Sequence, residues 1–411
     1  MVIALFLAAC GPGDKDPAET DSAGTDNPTQ DPNGTLPDCV PVAPIALNEV
    51  SPSNVAVLLD IDGDSVDWIE LANTGTEAVD LAGWGLTDDP EDGPKWTFPS
   101  VLIQPGGFVV AYASDKDWSQ VVGSWDTRVD QGDTWRYFEV SSFLSPEWKN
   151  AGFDDSAWPS APSGFGFGDA DDATEVGAHV LYVRTTVTLT AEEAADLEAV
   201  YLHVDYDDSF VAYLDGVEIA REGIGFPGTP PSWDALADSE HEGLMYQGFQ
   251  PMPYSVPITA LHEGDNVLAL EVHDRTLTSS DLSLVPFLSV GFRTAREGGH
   301  TATAFTLPAV QLHTNFSLAA SGEDLALFDP AGCAASLLSP VSLLGDQTHG
   351  RKPDGTGELG YFLEPTPGAS NSTEMRPGFA GTPTFDPAPG WYASGTDVTI
   401  DADDASVVHY T

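Results

Sequence analysis

From Pro44 onward the chain is cut into short apolar runs bounded by turn residues, and that punctuation constrains its fold more than any other feature. DWIEL (67–71), KWTF (95–98) and GFVVAYA (107–113) are each too short for a helix and alternate with residues that reverse the backbone. In GFVVAYA both alternating sets are apolar, Phe108, Val110 and Tyr112 on one side and Val109, Ala111 and Ala113 on the other. That pattern suits a strand covered on both faces. With 40 Gly and 32 Pro in 411 residues, long helices have little room. One helix start stands out, Thr190 with Glu193 three residues on, a capping box over a short segment. The chain is expected to be all-β, and its length suggests two or three domains.

The net charge is −51, from 14 basic and 65 acidic residues. A field of that sign repels phosphate backbones, so nucleic acid is excluded as a partner. The plainer reading of the acidity is solubility in salt; the sharper one is a calcium-loaded surface, because acid-rich loops supply the hard oxygens calcium prefers.

Val2–Ala9 is an apolar run too short to span a bilayer, and Cys10 follows it directly. Leu7-Ala8-Ala9-Cys10 resembles a bacterial lipobox. The resemblance implies a signal peptide over 1–9, cleavage before Cys10, lipidation of that thiol, and export to the cell envelope (the outer membrane or cell surface). No Lys or Arg precedes the run, a departure from a signal peptide's basic start. Gly11 stands where Asp would signal inner-membrane retention in that family. Any membrane contact is then through the anchor alone. Residues 10–43 hold few large apolar side chains and read as a disordered acidic tether. Such a tether spans roughly 30 Å root-mean-square. Cys39 and Cys333 remain as an even pair, which export permits to close as a disulfide. Spacing alone decides nothing about that geometry.

LNEVSPSN (47–54), DGDSVDWIELANTG (62–75), VDLAGWGLTDD (79–89), KWTFP (95–99) and GGFVVAYASDKD (106–117) resemble the first half of a bacterial lamin-tail domain. LHTNFSLAASGEDLALFDPAG (312–332), HGRKPDG (349–355) and FLEPTPGASNS (362–372) resemble its second half. The resemblance implies an immunoglobulin-like sandwich over 44–117 and 312–372, interrupted by an insertion at 118–300 with a connector at 301–311. The insertion is similar to a galactose-binding-like jelly roll. The residues that carry this are TWRYFEV (134–140), PEWKNAGFDDSAWPSAPSGFGFGD (146–169), VYLHVDYDDSFVAYLDGVEIAR (200–221) and GDNVLALEVHD (264–274). Its own patterning agrees. Leu268, Leu270 and Val272 alternate with Glu271 and His273, and Asp215-Gly216 supplies a hairpin turn. Residues 373–411 read as a linker and the truncated start of a domain resembling the chitobiase C-terminal type. Relatives with this module order often continue into a kinase-like domain of the spore-coat protein H family.

Catalytic signatures are absent: there is no G-x-S-x-G elbow, H-E-x-x-H helix or P-loop. Gly164-Phe-Gly-Phe-Gly168 lacks the strand-to-helix context of a phosphate cradle and reads as turn. A glycosidase needs two carboxyls about 5–10 Å apart across a cleft, and among 65 acids close pairs prove nothing. Asp60, Asp62, Asp64 and Asp67 alternate around Gly63 like calcium ligands, but the loop lacks the downstream Glu, and a solvated acidic loop is the preferred reading. Asp207 and Asp208 end a strand beside Asp205, as turn formers or as ligand contacts. Trp233, in a Pro-rich loop, is the best candidate to stack on a sugar. Trp148 and Trp158 read as core, and Glu271 faces away from the core set. His203 and His273 read as flanking core strands. Three functions follow: a non-catalytic surface module binding a glycan or other surface polymer through the jelly roll, a spacer for a catalytic module beyond residue 411, and a surface hydrolase. The first is preferred.

Overall fold

The computed structural model describes residues 44–168, 172–339, 342–378, 384–388, 390–392 and 395–401. Cys10, Cys39 and the expected leader and tether fall outside these residues. The regular structure of the described residues is almost all β, with one α-helix, Ala191–Ala195, started by the Thr190–Glu193 capping box.

Strands from both sides of the middle of the chain share the first sandwich. Ile45–Ser51 pairs with Asp67–Asn73, which pairs with Phe108–Ala113. On its other edge Ile45–Ser51 takes Thr348–Lys352, with Glu49 opposite Gly350. Phe108–Ala113 takes Val310–His313 as a parallel neighbour. These belong to an eight-stranded sheet. A four-stranded sheet accompanies it, where Gly85–Thr87 pairs with Leu325–Phe328. The shared core holds Leu47, Ile69, Leu71, Trp84, Leu86 and Phe98 from one segment and Leu312, Leu325, Leu327 and Leu338 from the other. Each such side chain contributes about 1.5–3 kcal/mol on burial. Neither segment holds all of this core by itself.

A polar seam stitches the same two segments. Asn48 Nδ2 donates to Glu70 Oε1 (2.8 Å), the Gly368 amide to Glu70 Oε2 (2.6 Å), and the Gly355 amide to Asn48 Oδ1 (2.8 Å). Thr348 Oγ1 donates to the buried Glu49. Burial pushes Glu70 up to about 8 against the opposing pull of the Asn48 and Gly368 hydrogen bonds; the charges of Glu49 and Asp354 add to the rise.

The second sandwich runs from Ser124 to Phe292 and has two six-stranded sheets. Val180–Leu189, Gly264–His273 and Ser209–Leu214 lie adjacent in one; Leu197–Tyr206 and Leu282–Phe292 pair along their length in the other. Leu268, Leu270 and Val272 enter the core between the sheets together with Phe210, Ala212 and Leu214. Asp215 and Gly216 adopt φ of 48° and 85° in the hairpin turn, the left-handed geometry this turn requires. The outer face of the first sheet is not solvated: Val211, Tyr213 and Tyr182 lie beneath Trp148, Trp158 and Ile224 in a second apolar layer.

The boundaries shift from those read in the sequence. Trp118–Val121 belongs to the eight-stranded sheet, paired with Val310–His313, and Trp118 stacks on His313 at 4.2 Å. That stack and ladder hold residues 118–121 to the host, so the inserted fold starts at Ser124. The connector is packed rather than loose: Ala302 and Phe305 cover Val285 and Phe287. Met375–Arg376 extends the host sheet past 372. Beyond it the described part of the C-terminal segment is a hairpin of Thr384–Asp386 with Thr399–Asp401. Cys333 is disulfide-bonded, and its expected partner Cys39 is outside the described residues.

Candidate functional site

Two loops build a cleft of about 300 Å³ on the outer face of the first sheet of the inserted sandwich. Strand alternation sends Tyr182 and Glu271 to this face while Leu181 and Leu270 point into the core. Pro146–Lys149, a 3-10 turn capped by Ser145, lays Trp148 flat on Tyr182, with ring centroids 4.2 Å apart at 8°. Pro230, Pro231 and Trp233 also line the cleft, with Phe143 and Leu144. Trp233 is half-buried, packed against the apolar layer below. Phe143 is 71% exposed, so an aromatic edge faces solvent at the mouth.

Glu271 is buried on the cleft floor with both oxygens engaged. Tyr213 donates its hydroxyl to Oε1 (2.6 Å), and His273 Nε2 lies 3.2 Å from Oε2. Burial first, then the Glu271 charge, drives the Tyr213 hydroxyl strongly upward. His273 Nδ1 meets the Ala235 carbonyl at 2.9 Å, which ties the Trp233 loop to the sheet. Lys149 Nζ sits over the Tyr213 ring at 4.9 Å. Glu271 is the one carboxylate among the cleft-lining residues. Trp148 and Trp158 are core, as is His203, which stacks on Phe305 at 3.7 Å and is pushed down to about 4 by burial.

The sequence candidates therefore divide. Trp233 and Glu271 meet at the cleft, whereas Asp207 and Asp208 do not line it. They sit with Asp274 in a buried group whose ligand atoms all lie within 4.8 Å of one another, and Asp207 also joins the exposed Glu242 and the half-buried Asp281 in a second group of the same spacing. Burial, then the charges of Asp208, Asp281, Asp274 and Glu242, pushes Asp207 up to about 8. Asp274 is raised as well, by burial first and against the pull of His179. Sequence reading missed Asp274, Glu242 and Asp281. One signal was available: Asp208 and Asp274 flank Ser209 and His273, which pair across adjacent strands.

The loop raised as a candidate calcium site carries its own cation. Asp60, Asp62 and Asp64 converge, but Lys116 Nζ lies among them at 2.6, 2.7 and 2.8 Å. Asp67 turns away and accepts the Asn54 amide (3.0 Å). Burial alone would lower the Lys116 pKa; the three carboxylate hydrogen bonds outweigh it and raise it. An ammonium thus stands in the place a metal ion would take.

Residues 43–156 match the family model described as Lamin Tail Domain. The matched span continues past Val121 into residues the structure places in the inserted sandwich. No curated protein matches the chain. Among solved structures, a glycosyl hydrolase family 2 member from Bacteroides cellulosilyticus is 12% identical over 40% of this chain and 20% of its own, with a TM-score of 0.28. A Bacteroides uniformis β-glucuronidase is 13% identical over 58% and 27%, at 0.29. A Bifidobacterium dentium β-glucuronidase is 12% identical over 55% and 40%, at 0.26. The chain spans less than half the length of each, and similarity this low carries nothing about activity.

Proposed function

We propose that this chain is a non-catalytic, envelope-anchored surface protein whose jelly roll holds carbohydrate in the Trp233 cleft. The observation that carries the reading is the cleft's lining: Trp233, Trp148, Tyr182 and Phe143 supply aromatic surface around a single fixed carboxylate, Glu271. Apolar C–H faces of a sugar stack on such rings, and a cleft of this size suits one or two rings rather than a polymer wrapped along its length. Hydrolysis of a glycoside needs a second acid across the gap. Glu271 has none among the cleft-lining residues, and its oxygens are committed to Tyr213 and His273. The lamin-tail sandwich serves as the platform, and Cys10 as the tether point.

The test is binding of the full chain to an array of neutral and acidic glycans, repeated with Trp233→Ala. The expected result is a defined set of ligands whose affinity falls about fivefold or more, since a stacking contact of this kind is worth about 1 kcal/mol or more. No binding, or binding that Trp233→Ala leaves unchanged, overturns the reading.

A further inference from the structure

We propose that Asp207, Asp208 and Asp274 form the heart of a calcium site at the end of a sheet of the inserted sandwich, apart from the acidic loop at 60–67. The site follows from register. Ser209 pairs with His273, so the carboxylates next along each strand, Asp208 and Asp274, are brought to the same sheet edge. Asp207 belongs to the tight turn between Leu197–Tyr206 and Ser209–Leu214. The three side chains are 4%, 5% and 0% exposed.

The hydrogen-bond inventory leaves ligand atoms over. Asp208 is fixed by the backbone, accepting the His241 amide (3.0 Å) and the Arg275 amide (2.8 Å). Asp274 Oδ2 meets His179 Nδ1 at 2.5 Å, but its Oδ1 is buried without a partner. The Asp207 carboxylate accepts no hydrogen bond among the described residues, and no Lys or Arg among them pairs with Asp207, Asp208, Asp274, Glu242 or Asp281. Buried carboxylates left without a counter-charge are costly. The host triad has Lys116 in its centre; this one has no such side chain. A hard cation with a flexible shell of six to eight oxygens meets the need, and Glu242 and Asp281 lie in reach of Asp207 to complete it. Calcium suits several carboxylates from separate loops better than magnesium, which holds to a rigid octahedron and keeps its waters.

The site also bears on the cleft. The loop that carries Trp233 is bonded to the acidic cluster and its neighbours at several points. The Ala237 amide donates to the Asp274 carbonyl (3.1 Å), the His241 amide to Asp208, and the Leu244 amide to Asp205 (2.9 Å). A bound cation would hold that loop in place whether or not the cleft takes a sugar.

The test uses the full chain stripped with chelator and titrated with calcium chloride by calorimetry, with magnesium chloride as comparator and thermal unfolding followed in parallel. Asp207→Asn and Asp274→Asn are measured beside Asp60→Asn. The amide substitutions remove repulsion and keep shape, so circular dichroism checks that they fold. The expected result is one saturable calcium site, preferred over magnesium, that raises the unfolding temperature. Its affinity should fall by about tenfold or more in Asp207→Asn and Asp274→Asn and hold in Asp60→Asn. Weak, unsaturable binding shared by all variants, or a site lost only in Asp60→Asn, overturns the proposal.

Discussion

Replacing Lys116 with methionine keeps most of the side chain's length and removes its charge. In the folded protein that charge is shared by three carboxylates at 2.6–2.8 Å, of which the Asp60 side chain is fully buried while those of Asp62 and Asp64 are 39% and 61% exposed. Breaking a buried ion pair by removing one partner costs about 3–5 kcal/mol. Two of the three acids here recover hydration, which places the loss near the low end, about 3 kcal/mol. For a cooperative unit of this size, that is a fall of roughly 10 °C in the host transition. The assay is thermal and denaturant unfolding of wild type and Lys116→Met in chelated buffer, then in millimolar calcium. Without the ammonium the triad becomes a cation site, so calcium should return part of the lost stability to the variant while adding nothing at this loop in wild type. A variant as stable as wild type in chelated buffer would refute the reasoning, because the three acids would then not depend on the lysine.

Further outcomes follow from the host. Glu70 has a folded-state pKa of about 8, above its unfolded value, so its contribution to stability is complete below about pH 4 and is lost as pH rises toward 8. That loss amounts to about 5 kcal/mol in all; unfolding measured from pH 5 to 9 should show most of the decline, and Glu70→Gln should flatten it. Leu327→Ala truncates a fully buried side chain of the second segment and should cost about 2–5 kcal/mol in equilibrium unfolding, with Gly85–Thr87, its strand's partner from the first segment, losing amide protection too. Cys10→Ser should move the protein from the membrane to the soluble fraction in a bacterial host; retention at the membrane would remove the tether from the account above.

What the sequence made legible was periodic. The alternation of Leu268, Leu270 and Val272 with Glu271 and His273 maps directly onto core and outer face, because a strand has only two sides. What escaped was tertiary. Lys116 lies more than fifty residues from the acids it neutralises, and Asp274 lies more than sixty residues from Asp207, so no local window contained either group. The outer face of the first sheet reads as solvent-facing until loops bearing Trp148 and Trp233 cover it, and loops carry no period from which to foresee that cover. Trp118 belongs to the host because His313, nearly two hundred residues later, stacks on it.

That stack lies at the suspension point of the inserted sandwich. Both of its connections run through neighbouring antiparallel strands, Trp118–Val121 and Val310–His313, which leave the host side by side. A load drawn through the inserted sandwich would act on this ladder like a zipper, parting the Val122–Ala309 bond and then one rung after another, rather than shearing all rungs together. Under tension the guest would therefore swing loose on its two strands at modest force, while both cores stay folded.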